Sequence, residues 1–327
     1  MIISQTPLRM SFVGGGSDFP EFYRRYGGAV VSTTIDKFIY IAVNRKFDSA
    51  IRVSYSQTEE VGEVDQIAHN LVRESLRMLG ISGGVEITSI ADIPSRGTGL
   101  GSSSAFTVGL LHALHGHRGE YISREDLAAE SSRVEIELCG ERIGKQDQHA
   151  AAFGGLNFIQ FDPDDTVTVC PIICPRATWD ELERSLLVFY TGITRATGSV
   201  TAPQCDGLGT NPEKQKLVQR MACLAHVLRD ELHRGRLDGF GEILHENWML
   251  KKELADRVTS GQIDGWYEQA RQAGAAGGKL LGAGAGGFLL FYGPPERHPA
   301  IEAALQDLRR IHFHLEPRGS RIILYQP

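Results

Sequence analysis

Pro94-Ser95-Arg96-Gly97-Thr98-Gly99-Leu100-Gly101-Ser102-Ser103-Ser104-Ala105 is the stretch from which the architecture of this 327-residue chain can be worked out. Val85-Glu86-Ile87-Thr88-Ser89-Ile90 before it alternates cleanly and predicts a strand. Phe106, Leu110, Ala113 and Leu114 after it fall at helical spacing. Glycines at 97, 99 and 101 allow close backbone approach, and three serines open the helix. Successive N–H groups and a helix N-terminus then surround an anion, with hydroxyls free for phosphate oxygens or Mg²⁺. It is not a Walker A loop: Gly144-Lys145 precedes Gln146 and Gly278-Lys279 precedes Leu280, where Ser or Thr is required. The plain alternative is an ordinary strand-to-helix turn, and the serine run argues against it.

Glycine is also in excess over the whole chain. There are 37, against about 23 at the usual ~7%. The absence of a G-X-Y period and only 13 prolines exclude collagen and low-complexity disorder. The surplus concentrates in segments 14–28, 97–101 and 277–287. A net charge of −6 without long like-charge runs argues against nucleic acid as the main partner. No signal-peptide pattern opens the chain and no apolar run approaches ~18 residues, so a soluble cytoplasmic protein away from membranes is expected. The five scattered cysteines lack zinc-site spacing and read as buried free thiols of a reducing compartment.

The remaining pattern alternates strands and helices. Tyr40–Val43 and Ile51–Tyr55 read as strands, and Val64–Leu79 as one amphipathic helix ended by Gly80. Ser123 fits a capping box opening a helix with Leu127, Val134 and Leu138 on its apolar stripe. A strand at Leu156–Phe161 and a turn at 162–165 follow, and the turn is the expected boundary between domains 1–163 and 164–327. The second half predicts a strand at Leu186–Tyr190 and a long helix from Asn211-Pro212 to Gly235. Helices at Leu237–Asp256 and Gln262–Ala273 follow. A glycine loop, a strand (Phe288–Tyr292), a helix (Ala300–Arg310) and strands at Phe313–Leu315 and Arg321–Tyr325 end the chain. This is an α+β pattern over a mixed or antiparallel sheet, with no internal repeat.

Three further segments carry chemistry. Gly282, Gly284 and Gly287 satisfy G-x-G-x-x-G, but a strand follows them where a dinucleotide fold needs a helix. A loop packed on a ligand or on another loop fits, as does a structural hairpin. Gly14-Gly15-Gly16-Ser17-Asp18 presents backbone amides and a carboxylate; Asp18 suits sugar hydroxyls or a cap on the helix Phe19–Arg25. Asp147, in Gly144-Lys145-Gln146-Asp147-Gln148-His149, is a general base or a helix-start carboxylate. Glu135 and Glu137 flank the apolar stripe of their helix on opposite sides, so periodicity does not choose between them as a metal ligand.

The four segments in this order resemble the GHMP kinase superfamily, and the resemblance covers nearly the whole chain. Pro94 to Ala105 is similar to the P-x3-G-L-x-S-S-A phosphate loop, with one extra residue before Gly99. Within the superfamily, the Gly14–Asp18 and Gly144–Gln148 segments look most like the D-glycero-D-manno-heptose 7-phosphate kinases. Galactokinases carry a Glu-His pair where Gly15-Gly16 stand here, which argues against galactose.

The resemblance implies a two-domain fold, with an N-terminal domain like domain 2 of ribosomal protein S5 and a ferredoxin-like C-terminal domain. It implies ATP phosphates on Gly97, Gly99, Leu100, Gly101, Ser102, Ser103 and Ser104, and Mg²⁺ on Ser103 and Glu135, the latter about a dozen residues ahead of Asp147. Asp147 and Arg9 are the implied catalytic groups. Gly15, Gly16, Asp18, Asp147 and Gly284 line the implied sugar site, and Arg195 is the first choice for a substrate phosphate over Lys145 and Arg24-Arg25. The implied partners are ATP and a sugar phosphate, with a homodimer left open. The implied reaction phosphorylates the anomeric hydroxyl of the heptose 7-phosphate. A fucokinase-like sugar-1-kinase and a catalytically inactive sugar sensor are the alternatives.

Overall fold

A computed structural model describes residues 1–94, 97, 99–194, 204–255 and 258–327. The first sheet is built on two long strands, β1 (Ile2–Val13) and β2 (Gly28–Arg45), paired antiparallel over nearly their full length. Such length is supported by near-continuous burial of both strands, as expected where a sheet is covered on both faces. The other edge of β2 is shared. Its C-terminal half pairs β5 (Val85–Ala91), which leads in parallel register to β3 (Ile51–Ser54) and then to β4 (Thr58–Val61). Its N-terminal half pairs β6 (Asn157–Phe161), which hairpins to β7 (Val167–Pro171). β5 delivers the chain into the glycine-rich turn, and helix Ser102–Arg118 leaves it, buried along most of its length behind β1 and β2.

The second sheet is antiparallel. Its strands are β8 (Leu186–Tyr190), β9 (Gly277–Leu280), β10 (Phe288–Tyr292) and β11 (Arg309–Ile311), in spatial order β11-β8-β10-β9. Helices Pro212–His233, Phe240–Leu254 and Gly261–Gln272 separate β8 from β9, and His298–Ala304 separates β10 from β11. That connectivity and order are the split β-α-β of a ferredoxin-like layer. One continuous apolar core runs from Phe12 and Val31 of the first sheet to Val188 and Leu290 of the second, through Leu228 and Phe240. The Phe12 and Phe240 rings meet edge to face at 5.2 Å.

The sheets cut across the expected boundary at 163. β7 lies in the first sheet, and β12 (Arg321–Tyr325) returns from the end of the chain to pair with β1. A strand's partner is chosen by tertiary pairing, which distance along the chain does not reveal.

Other expectations shift for local reasons. The amphipathic run 64–79 breaks into a single turn, Val64–Gln66, and a helix, Asn70–Met78. Glu59 causes the break by accepting the amides of Ala68 (2.6 Å) and His69 (3.2 Å), which leaves His69 extended. Residues Gly277–Leu280, expected in the glycine loop, form buried β9 and so shorten that loop to 281–287. The last helix stops at Ala304, and the strand after it forms at Arg309–Ile311 instead of Phe313–Leu315. Of the cysteines only Cys205 is buried, while Cys170 and Cys223 are exposed; all five are free. No helix among the described residues is long and apolar enough to cross a membrane.

His115 ties the central helix to its neighbour. Its ring nitrogens lie 3.1 Å from Glu120 and 2.8 Å from Glu130. The hydrogen bond to Glu130, then the attraction of both carboxylates, raises its pKa against the opposing effect of burial. The folded state therefore binds this proton more tightly than the unfolded chain. The stabilisation is complete below the unfolded value of about 6.5 and fades as pH rises through the folded value. His115→Gln is expected to cost about 1–2 kcal/mol at pH 6 and clearly less at pH 9, by urea unfolding at both pH values.

Candidate active site

Four segments converge where β1 ends. Arg9, on β1, is buried at 4% exposure and donates from Nε and Nη2 to the two carboxylate oxygens of Asp147, each at 2.7 Å. Its third arm, Nη1, donates to the Gly99 carbonyl at 2.7 Å, and its amide to that of Leu100 at 3.0 Å. Arg9 thus fixes Asp147 and the backbone at Gly99 and Leu100 together, and the bidentate grip on the carboxylate is a geometry that Lys does not offer. Gly101 sits beneath this pair with φ 71°; a Cβ there would lie 3.1 Å from Arg9 Cγ and 3.4 Å from Asp147 Oδ2.

Leu100 is anchored in the core while Ser102 and Ser104 are buried at the helix start and Ser103 is exposed. Gly97, Gly99 and Gly101 all have left-handed backbone, the conformation that glycine alone adopts freely. Opposite them lies the loop between β9 and β10. Gly99 and Gly282 are in backbone contact: a Cβ on Gly282 would stand 2.3 Å from Gly99 Cα. The glycine-rich hairpin and the loop-on-loop packing are therefore one and the same feature. Gly284 sits against the Val258 backbone, where a Cβ would lie 2.6 Å from the carbonyl oxygen.

Asp18 is buried and does not cap the following helix, Pro20–Tyr26, whose N-cap is Phe19. It accepts the Gly16 amide at 2.9 Å and the Gln146 amide at 3.3 Å, joining the first glycine loop to the helix Gln146–Phe153 that carries Asp147. Burial raises its pKa, and Asp147 nearby adds to that. Asp147 lies inside the first turn of its helix, after Lys145, and is likewise not the N-cap.

The structure separates Glu135 from Glu137. The helix begun at Ser123 widens to π-helical turns over Arg133–Leu138, which shifts the phase of the side chains. Glu135 turns inward to 1% exposure, Glu137 outward to pair with Arg133 at 3.7 Å, and Leu138 becomes exposed. Glu135 accepts from Ser103 Oγ at 2.9 Å and from Gln148 Nε2, and burial pushes its pKa up to about 7.

Two lysines complete the site, and no motif pointed to them. Lys251 and Asn247 occupy the buried stripe of helix Phe240–Leu254 with Leu244 and Leu254, where apolar residues are expected. Lys251 Nζ donates to the Gly282 carbonyl, and Asn247 Oδ1 accepts the Gly14 amide at 3.0 Å. Burial, then Arg9, lowers the Lys251 pKa to about 8, while Asp18 and Asp147 oppose the drop. Lys279, on β9, donates to the carbonyls of Ser11 (2.8 Å) and Phe12 (3.0 Å), and burial drives its pKa well below the usual value. For Lys251 and Asn247 the readable signal was a polar residue on the apolar stripe of helix Phe240–Leu254.

The candidate phosphate-binding cations fare differently. Arg24 and Lys145 both pair with Asp165, at 3.1 and 3.3 Å, and Asp165 also accepts the Tyr23 hydroxyl at 2.6 Å. Arg25 lies over the Tyr26 ring. Arg195 lies outside the described residues.

Residues 64–155 match the family of GHMP kinase N-terminal domains, and residues 228–313 match the GHMP kinase C-terminal family. The chain is 31% identical to a D-glycero-alpha-D-manno-heptose 7-phosphate kinase of Campylobacter jejuni, over 93% of each chain. It is 29% identical to a bifunctional fucokinase/GDP-fucose pyrophosphorylase of Arabidopsis thaliana, over 95% of this chain and 31% of that protein. In fold it is similar, with a TM-score of 0.81 at 24% identity over the full length of both chains, to a D-glycero-D-manno-heptose 1-phosphate kinase from Bacteroides thetaiotaomicron. A Lactococcus lactis galactokinase gives 0.77 at 18% identity, over 98% and 94% of the two chains. Buried charges held at a glycine-lined junction of two sheets and whole-length likeness to kinases lead to one conclusion. The chain belongs to the GHMP kinase family and is a phosphotransferase that uses ATP to phosphorylate an alcohol group.

Proposed function

We propose that the alcohol is the anomeric hydroxyl of D-glycero-D-manno-heptose 7-phosphate and the product the 1,7-bisphosphate. The observation that carries the chemistry is the Arg9–Asp147 pair clamped onto the Gly99 carbonyl. The likeness to the Campylobacter heptose 7-phosphate kinase over 93% of both chains, and Gly15-Gly16 in place of a Glu-His pair, support the sugar.

In this reading ATP phosphates lie on the amides from Gly99 to Ser104, at the start of helix Ser102–Arg118. The acceptor oxygen approaches the γ-phosphorus beside Asp147, whose carboxylate takes the hydroxyl proton as the new O–P bond forms. The bond to the bridging oxygen breaks and ADP leaves. Arg9 holds Asp147 in position through its two hydrogen bonds, and offers positive charge to the moving phosphoryl group. Asp18, with Gly15 and Gly16, orients the sugar hydroxyls, and Gly284 closes the site from the second sheet. Arg195 remains the proposed contact for the substrate phosphate. The proposed organisation is an N-terminal unit carrying the phosphate loop and a C-terminal unit closing on it, with β7 and β12 assigned to the first.

Ser103 and Glu135 fit Mg²⁺. Their oxygens are 2.9 Å apart, close to the ~3.0 Å edge of an octahedron with ~2.1 Å bonds. Glu135 is also a buried carboxylate without a cationic partner among the described residues, a charge that a divalent ion neutralises. One carboxylate and one hydroxyl suit an ion that keeps waters and takes phosphate oxygens. When bound, Mg²⁺ supplies charge neutralisation on the phosphates. Glu135→Gln is expected to raise the Mg²⁺ concentration for half-maximal activity at least ~10-fold, with unchanged sugar KM, by titrating Mg²⁺ at saturating ATP.

The test of the substrate is ADP release with heptose 7-phosphate, L-fucose and D-galactose. Turnover on the first is expected. Turnover on L-fucose alone would replace the substrate by that of the fucokinase-like reading, which the Arabidopsis relative favours. No turnover with any sugar, alongside normal ATP binding, would support an inactive sensor.

A further inference from the structure

Ser11 and Gln146 face one another across Gly15. A Cβ placed on Gly15 would lie 3.5 Å from Gln146 Nε2 and 3.9 Å from Ser11 Oγ, and it would meet nothing else within 4 Å. The glycine therefore keeps a side chain out from between Ser11 and the Gln146 amide, whose Nε2 is the nearer atom. Ser11 is 4% exposed, and its Oγ has no hydrogen-bond partner among the described residues. The Oε1 of Gln146 is buried and equally without one. Polar atoms buried in this way destabilise a fold unless something pairs with them.

Their position relates them to the reacting pair. Ser11 lies two residues beyond Arg9 on β1 and so shares its face. Gln146 immediately precedes Asp147 at the start of their helix. Ser11 with Gln146 thus forms a second pair beside Arg9 with Asp147, one side-chain repeat of about 7 Å along the strand. A polyol whose acceptor hydroxyl meets Asp147 extends its neighbouring hydroxyls toward this second pair. A hydroxyl is the group that satisfies both atoms at once, because it donates and accepts.

We propose that Ser11 Oγ and Gln146 Oε1 bind a ring hydroxyl other than the acceptor and so select the configuration of the sugar. The hydroxyl donates to Gln146 Oε1 and accepts from the Ser11 hydroxyl. The inference rests on reading the Gly14–Asp18 loop as the sugar site and holds for whichever sugar is turned over. A site built to hydrogen-bond a hydroxyl rejects the analogue that lacks it, since its own polar atoms are then left unpaired.

The experiment compares the parent with Ser11→Ala and Gln146→Leu. It uses heptose 7-phosphate and its monodeoxy analogues, or L-fucose and its analogues if only fucose is turned over. Failure of the heptose assignment is thereby kept apart from failure of this one. The sugar kcat/KM is expected to fall about 10-fold or more in each variant, with KM for ATP within about twofold. On one monodeoxy analogue the parent should lose as much, and the variants should lose little further. The melting temperature of Ser11→Ala without ligand should stay level or rise, because the hydroxyl it removes is unpaired. Unchanged sugar kcat/KM in both variants would overturn the proposal. So would equal, additive losses on every analogue, or a fall in melting temperature with kcat and both KM values shifted together.

Discussion

Asp147→Asn is expected to lower kcat by about 10³-fold or more while ATP affinity stays within about twofold. The amide keeps the size of the carboxylate but neither accepts a proton nor balances Arg9, whose Nε and Nη2 both point at it at 2.7 Å. ATP affinity is expected to survive because Arg9 retains its bond to the Gly99 carbonyl and its amide bond to Leu100. Single-turnover phosphoryl transfer and ATP titration calorimetry on the same preparation separate the two quantities. Parallel loss of ATP binding would show that Asp147 serves the nucleotide and not the acceptor.

The second large effect is expected from Gly99→Ala, which should weaken ATP binding by about 100-fold and destabilise the fold by about 2–3 kcal/mol. Gly99 has φ 77°, and a Cβ there would stand 2.3 Å from the Leu281 carbonyl oxygen and 3.2 Å from the Gly282 amide. Both obstacles are backbone, so no side-chain rotation relieves them. The substitution would push loop 281–287 away from the phosphate loop, taking with it the Gly282 carbonyl that Lys251 holds. Ala at Gly119, with a similar φ of 77° but open space at its Cβ position, isolates the backbone strain from the steric clash. ATP affinity unchanged by Gly99→Ala would show that this contact does not set the phosphate loop.

How much of this was legible without coordinates depends on how far each signal reaches along the chain. The helix start after Gly101, the Ser123 cap and the Asn211 cap are local devices, and all of them stand where the spacing put them. The ambiguity over Asp18 and Asp147 was real in one dimension, because a cap and a ligand-binding carboxylate have the same local sequence. The bond of Asp18 to the Gln146 amide and the pairing of Asp147 with Arg9 are made across segments, and the N-caps of the two helices are Phe19 and Lys145. Glu135 and Glu137 could not be told apart at 100° per residue. The π-helical turns over Arg133–Leu138 bury one and expose the other, a change of phase that the regular period does not carry.

By itself the sequence determined many of the elements, the glycine turns and the kinds of chemistry on offer, because hydrophobic period, caps and left-handed backbone are properties of a few neighbouring residues. Only the tertiary structure decided the rest: that β12 closes the first sheet, that Lys251 and Lys279 reach the site, and that Gly99 meets Gly282. Each of these joins residues far apart in the chain. Which partners meet is set by the burial of one shared core, to which every segment contributes and which no single segment encodes.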